Sequence, residues 1–154
     1  PNYTLTRRRF YASISTQQTD EEWPVTDDND FENTVLYVQT HGRDAPERSA
    51  TPFFLATAAA AMDNEVSIYF TMNGPQLLAK GAPDEIIVPK AGGGGKELRY
   101  FIDQALGIGV RLLVCQPSLD LHGYSMDDMI DGVEMIGGAA FNDMAINADA
   151  VISF

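Results

Sequence analysis

The chain is poor in cysteine, in positive charge and in long apolar runs. Its only cysteine among 154 residues is Cys115, which leaves no intrachain disulfide and no CxxC redox pair. The fold must therefore rest on an ordinary core, and a reducing, cytoplasmic home is expected. Lysine and arginine number 10 against 22 acidic residues, a formal net charge of −12. A protein that grips phosphate backbones needs clustered cations, so no nucleic-acid partner is expected. The basic cluster Arg7-Arg8-Arg9-Phe10 is followed by the polar stretch from Tyr11 to Gln18, not by the apolar segment of an export signal. The longest alanine-rich patch, Ala56 to Met62, is interrupted by Thr57, and nothing approaches the roughly 18 consecutive apolar residues of a spanning helix. No membrane insertion is expected.

What is present suits one globular domain. With 45 % hydrophobic residues, a chain of this size can bury about two thirds of its unfolded surface in a single core. Residues 1–33 differ from the rest. They carry Asp20, Glu21, Glu22, Asp27, Asp28, Asp30 and Glu32 without a sustained apolar period, as expected of an acidic extension that does not fold alone. Trp23-Pro24-Val25 within it is a candidate to dock on the domain or on a neighbouring subunit, because a lone indole is costly to leave in water.

Residues 34–154 alternate strand and helix signals. Thr34 to Thr40 is nearly continuous apolar, as a strand covered on both faces should be, and ends at His41-Gly42. Pro46 starts a turn. Thr51-Pro52 reads as an N-cap and first-turn proline of a helix reaching Met62. Val66 to Phe70 is a second strand closed by Asn73-Gly74-Pro75, followed by a short helix over Gln76 to Lys80 and a brief third strand at Ile86 to Val88. Gly92 to Gly95 form a loop, then Leu98, Phe101, Ile102 and Ala105 mark an amphipathic helix stopped by Gly107. Val110 to Val114 is a strand that delivers Cys115 to a turn at Gln116-Pro117-Ser118. Ser125 and Asp128 suggest a capping box for a helix lined by Met126, Met129, Ile130 and Val133. Gly137-Gly138 breaks it, Ala139 to Ala148 is a further helix, and Ala150 to Ser153 a final strand. This alternation predicts an α/β fold: a mostly parallel sheet with right-handed crossovers and helices on both faces.

In such sheets ligands bind beyond the carboxyl ends of the strands. His41, Asn73 and Cys115 all stand at such ends, with Gly74 and Gln116 beside them, so Cys115 and His41 are the candidate catalytic residues and Asn73, Gly74 and Gln116 the candidate substrate-binding ones. A strand-end thiol faces the rim, where amides or a cation lower its pKa toward thiolate, and a thiolate attacking a sulfur donor can carry a persulfide without a second cysteine. His41 is placed to act as base or hydrogen-bond partner for it. Cys115, Asp120, His122 and His41 are ligand types, but their spacing matches no zinc signature, so no metal is expected. Gly95-Lys96 is followed by Glu97, which fits neither a P-loop nor a dinucleotide fingerprint, and no cofactor is expected.

Thr40-His41-Gly42, Pro46-Glu47-Arg48 before Pro52-Phe53, Val114-Cys115-Gln116 with Ser118-Leu119-Asp120 and Gly123, and Ile130-Asp131-Gly132-Val133-Glu134 with Gly137-Gly138 together resemble the DsrE-like sulfurtransferases over Thr34 to Phe154. The resemblance implies a three-layer α/β/α domain with a sheet of about five strands, assembled into trimers or hexamers. It also implies sulfane sulfur carried on a cysteine and exchanged with small TusA-like carriers, and it puts Cys115 at the sulfur-carrying position. The acidic extension is not part of the family pattern. With one cysteine, a mechanism that needs a resolving thiol in the same chain is excluded. The alternative is a non-catalytic module of the same fold that binds a small anion or serves in assembly.

Overall fold

The computed structural model describes residue 31 and residues 33–154. The acidic extension and the docking of Trp23 therefore lie outside the described residues. Five parallel strands form the main sheet: β1 (Thr34–Gln39), β2 (Glu65–Phe70), β5 (Arg111–Cys115), β6 (Val133–Ile136) and β7 (Ala150–Ser153), in the order β6-β5-β2-β1-β7. β1, β2, β5 and β6 are laid down successively in one direction, and β7 returns to the far side of β1. Because parallel crossovers are right-handed, the first three connections share one face and the last one takes the other.

The packing follows that rule. On the first face lie α1 (Pro46–Ser49), α2 (Thr51–Ala60), α3 (Ala82–Glu85), α4 (Leu98–Gly107) and α5 (Gln116–His122). Phe53 and Ala56 of α2, Ile102 and Ala105 of α4 and Leu119 of α5 join Tyr37, Ile68, Phe70, Leu112 and Val114 of the strands in one core. Each fully buried Leu, Ile or Phe there contributes about 1.5–3 kcal/mol relative to leaving it exposed. The second face is covered by α6 (Gly138–Asn147), which lays Phe141, Met144 and Ala145 on Leu36, Tyr69 and Leu113. Phe141 stacks on Tyr69 with ring centroids 4.3 Å apart. The result is the three-layer α/β/α arrangement expected from the sequence.

Four local expectations are corrected. The segment after Ser125 is not a helix: the capping box forms, yet it closes only a 3-10 turn at Met126–Asp128, and Val133–Ile136 is the strand β6. The apolar residues 126, 129, 130 and 133 mimic a helical period, but Gly132 at φ +83° ends it, and Met129 pairs with Ala79 instead. The brief third strand lies outside the main sheet. It is β3 (Ile87–Pro89), paired antiparallel with β4 (Gly95–Glu97), and the glycine loop is the tip of this hairpin. The turn after Cys115 is the first turn of α5, where Pro117 is tolerated because the early helical N–H groups have no intrahelical partner. Lastly, Thr51 lies inside α2 rather than capping it, since Ala50 is itself right-handed helical and runs α1 into α2.

Candidate functional site

The carboxyl ends of β1, β2 and β5 gather the candidate residues at one edge of the sheet. Two glycines let the chain close up there. A Cβ on Gly42 would collide with the Asn73 carbonyl oxygen and stand 2.5 Å from Gln76 Oε1, and one on Gly74 would stand 2.5 Å from the Gln39 carbonyl oxygen. The loop after β1 and the turn after β2 therefore pack backbone to backbone, stitched by Asn73 N–H donating to the Thr40 carbonyl at 3.1 Å.

Cys115 ends β5 as the residue before α5, half-buried, with its side chain on the α6 face beside Tyr69 and Leu113. The register Tyr69↔Leu113 and Phe70↔Val114 brings Thr71 level with it, while on the other side Cys115 pairs with Ile136. Gly137 and Gly138, which open α6, thus begin next to the thiol and are exposed.

Burial pushes the Cys115 thiol up, but the hydrogen bonds it makes with the Ser118 hydroxyl, the Tyr69 phenol, the Ser118 backbone and the Thr71 hydroxyl outweigh burial, and its pKa falls below the ordinary value. Hydrogen bonds to the charged form are what favour a thiolate. Tyr69 moves the opposite way, raised by burial and by its hydrogen bond to Cys115. Ser118 is itself buried, accepts the Met72 N–H at 2.9 Å and sits 3.2 Å from Thr71 Oγ1.

The remaining expected residues stand at the carboxyl ends of β1, β2 and β5. His41 is half-buried, and its Nε2 faces Arg48 Nη1 at 2.8 Å; an arginine only donates, so Nε2 accepts there. The hydrogen-bond partners of the thiol are Tyr69, Thr71 and Ser118, and His41 is not one of them. Asn73 is half-buried in the turn after β2, Gly74 is buried against β1, and Gln116 is exposed on the first turn of α5. Among the described residues no three His, Cys, Asp or Glu side chains converge as a metal set, and no helix is long and apolar enough to cross a membrane.

Sequence reasoning missed Tyr69, Thr71 and Ser118 as partners of the thiol. Ser118 had a signal, three residues after Cys115 and so one turn along a helix starting there. Tyr69 and Thr71 had only the two-residue period of β2, which means nothing for Cys115 until β2 and β5 are known to be neighbours.

The profile of the DsrE/DsrF-like family matches residues 33–154, the whole folded domain. The chain belongs to this family. As a member, it is 29 % identical to the protein named sulfur carrier protein DsrE2 of Allochromatium vinosum, over 64 % of this chain and 84 % of that one. An uncharacterized protein of Methanocaldococcus jannaschii is 26 % identical over 70 % of this chain, which spans only 38 % of that relative's length. Two solved structures share the fold: the ychN protein of E. coli, with a TM-score of 0.65 at 18 % identity, and a protein of unknown function from Methanobacterium thermoautotrophicum, with a TM-score of 0.58 at 16 % identity. Each covers 79 % of this chain, which matches 99 % and 97 % of theirs. A DsrE-like fold follows from this membership.

Proposed function

We propose that the protein is a sulfur carrier that accepts sulfane sulfur as a persulfide on Cys115 and passes it to a partner thiol. The observation that carries this reading is the half-buried Cys115 thiol, whose hydrogen-bond partners outweigh its burial and favour the thiolate. In the loading step the Sγ thiolate attacks the outer sulfur of a donor persulfide. The Sγ–S bond forms, the donor's S–S bond breaks, and its electron pair leaves on the donor thiolate. In the unloading step the acceptor's thiolate attacks the same outer sulfur and Cys115 departs as thiolate. Neither step changes the overall redox balance, so no cofactor is required.

The rim supports approach. Arg48, held on His41, supplies a positive group for an anionic sulfur donor, and Asn73, Gly74 and Gln116 are the residues we assign to binding it. The partner we infer is a small thiol protein of the TusA-like kind, met in the cytoplasm by a homo-oligomer, trimer or hexamer, of this chain. Family membership and the printed name of the A. vinosum relative support the sulfur-relay part of this reading.

Intact-protein mass spectrometry after exposure to polysulfide, with a reductant control, tests it. Reductant-labile additions of one sulfur mass to the wild type and none to Cys115→Ser are expected. A wild-type thiol that stays free and unmodified would overturn the carrier reading in favour of a small-anion-binding or assembly module.

A further inference from the structure

We propose that His122 is the positioning residue of the Cys115 site: it holds the Met72 turn, whose N–H fixes the Ser118 hydroxyl one helical turn after Cys115. This rests on the reading of Cys115 as the reactive sulfur. His122 closes α5, four residues after Ser118 and on the same helical face. Its ring has two partners: Gln76 Nε2 stands 3.2 Å from Nδ1, and the Met72 carbonyl oxygen 2.9 Å from Nε2. An amide nitrogen only donates and a carbonyl oxygen only accepts, so Nδ1 accepts and Nε2 donates in these two bonds. Gln76 is fixed in turn by its Oε1, which accepts the Arg43 backbone N–H at 3.4 Å.

Met72 is where the two halves of the chain meet. It holds φ at +55°, a region that residues other than glycine seldom adopt and that persists only when neighbours enforce it. Both of its polar backbone groups are held by α5: the carbonyl takes the His122 proton, and the N–H donates to Ser118 Oγ at 2.9 Å. The Thr71 hydroxyl lies 3.2 Å from the same oxygen. Ser118 Oγ is thus held between the Met72 N–H and the Thr71 hydroxyl, in the first turn of the helix that Cys115 caps. The contacts thus run from the Arg43 amide through Gln76 to His122, and His122 and Ser118 grip the Met72 turn from its carbonyl and its N–H side, so that the two ends of α5 fix one turn beside Cys115. Without His122 the Met72 carbonyl loses its donor, the positive-φ turn relaxes, and Ser118 loses the N–H that fixes its hydroxyl.

The groups facing the thiol are Tyr69 and Thr71 beside β5 and Ser118 from α5, none of them charged. A change in the thiol's titration on altering His122 would therefore be transmitted through these contacts. The test is the pH profile of Cys115 alkylation by iodoacetamide in the full chain, wild type against His122→Ala and His122→Gln, with circular dichroism as the folding control. We expect His122→Ala to raise the profile's midpoint by about half a unit to one unit and to slow alkylation near neutral pH by about three- to tenfold. His122→Gln, whose amide N–H reaches the Met72 carbonyl, should restore most of the wild-type profile. If His122→Ala does not fold, Gln76→Ala breaks these contacts one link earlier and should shift the midpoint the same way by a smaller amount. A folded His122→Ala, or failing that a folded Gln76→Ala, with the wild-type midpoint would overturn the proposal. Alkylation reads the thiol and not the sulfur cargo. A shifted profile in a protein that loads no sulfur would sink the carrier reading and leave His122 in place, whereas normal loading with an unshifted profile would do the reverse.

Discussion

Cys115 and Tyr69 stand on neighbouring parallel strands with their side chains on the same face, and the hydrogen bond between them moves their titrations apart, the thiol downward and the phenol upward. The phenol is a donor to the sulfur and a platform for Phe141, so one side chain serves both the site and the packing of α6.

Tyr69→Phe separates these roles. The ring and its stack on Phe141 remain, while the donor to sulfur is lost. The midpoint of Cys115 alkylation should rise by about half a unit to one unit, and stability should change by no more than about 1 kcal/mol. Measuring both on the same preparation decides the matter: an unshifted midpoint would mean that the phenol does not stabilise the thiolate.

The thiol also links stability to pH. Its folded pKa lies below the ordinary value of 9.0, so the unfolded chain holds the proton more tightly. Ionisation then favours the folded state, with a contribution fully present above the unfolded pKa and lost as pH falls through the folded one. Urea midpoints of wild type and Cys115→Ser should therefore diverge in favour of the wild type between pH 7 and about pH 9.5. A constant gap over that range would contradict the lowered thiol pKa.

Gly42 and Gly138 give a paired test of the rim. Any Cβ on Gly42 meets the Asn73 carbonyl, which is backbone and cannot swing aside, whereas nothing lies within 4 Å of a Cβ on Gly138. Gly42→Ala should cost about 2 kcal/mol or more and disturb Gln76. Gly138→Ala, at the first position of α6, should be neutral or stabilising by up to about 1 kcal/mol. Thermal melts of the two variants would show it, and equal effects would argue against the close backbone contact.

The architecture was legible because α2, α4 and the strands carry clean periods: Leu98, Ile102 and Ala105 bury one helical face, and Val66 to Phe70 reads as an apolar strand buried on both faces. β6 was not. Its four residues share their apolar positions with a helical period that runs on from Met126, and only the turn at Asp131-Gly132 distinguishes the two readings. Strand count came out at five for a partly wrong reason, with β3 standing where β6 belongs. At the site, Cys115 was legible from its place at a strand end. Its partners were not, because they depend on β2 lying beside β5 and on α5 starting where a turn was expected. The roles of the two histidines are likewise a matter of tertiary contact. Each follows a strand end or closes a helix in sequence, but one faces Arg48 and the other reaches across to Met72.

The thin cover on the second face bears on assembly. α6 is alone there and none of its residues is fully buried, with Ile146 66 % exposed. An Ile146→Asp change should leave the fold's stability within about 0.5 kcal/mol, since the side chain is already in water. If the proposed oligomer uses this helix, the same change should move its mass in light scattering toward that of a single chain. A net charge of −12 opposes self-association at low salt and is screened over about 8 Å at physiological ionic strength, so the wild-type mass should rise with salt until screening is complete. A wild type that stays a single chain at micromolar concentration across that range would remove the oligomer from the functional reading, and an oligomer indifferent to Ile146→Asp would place its interface away from α6.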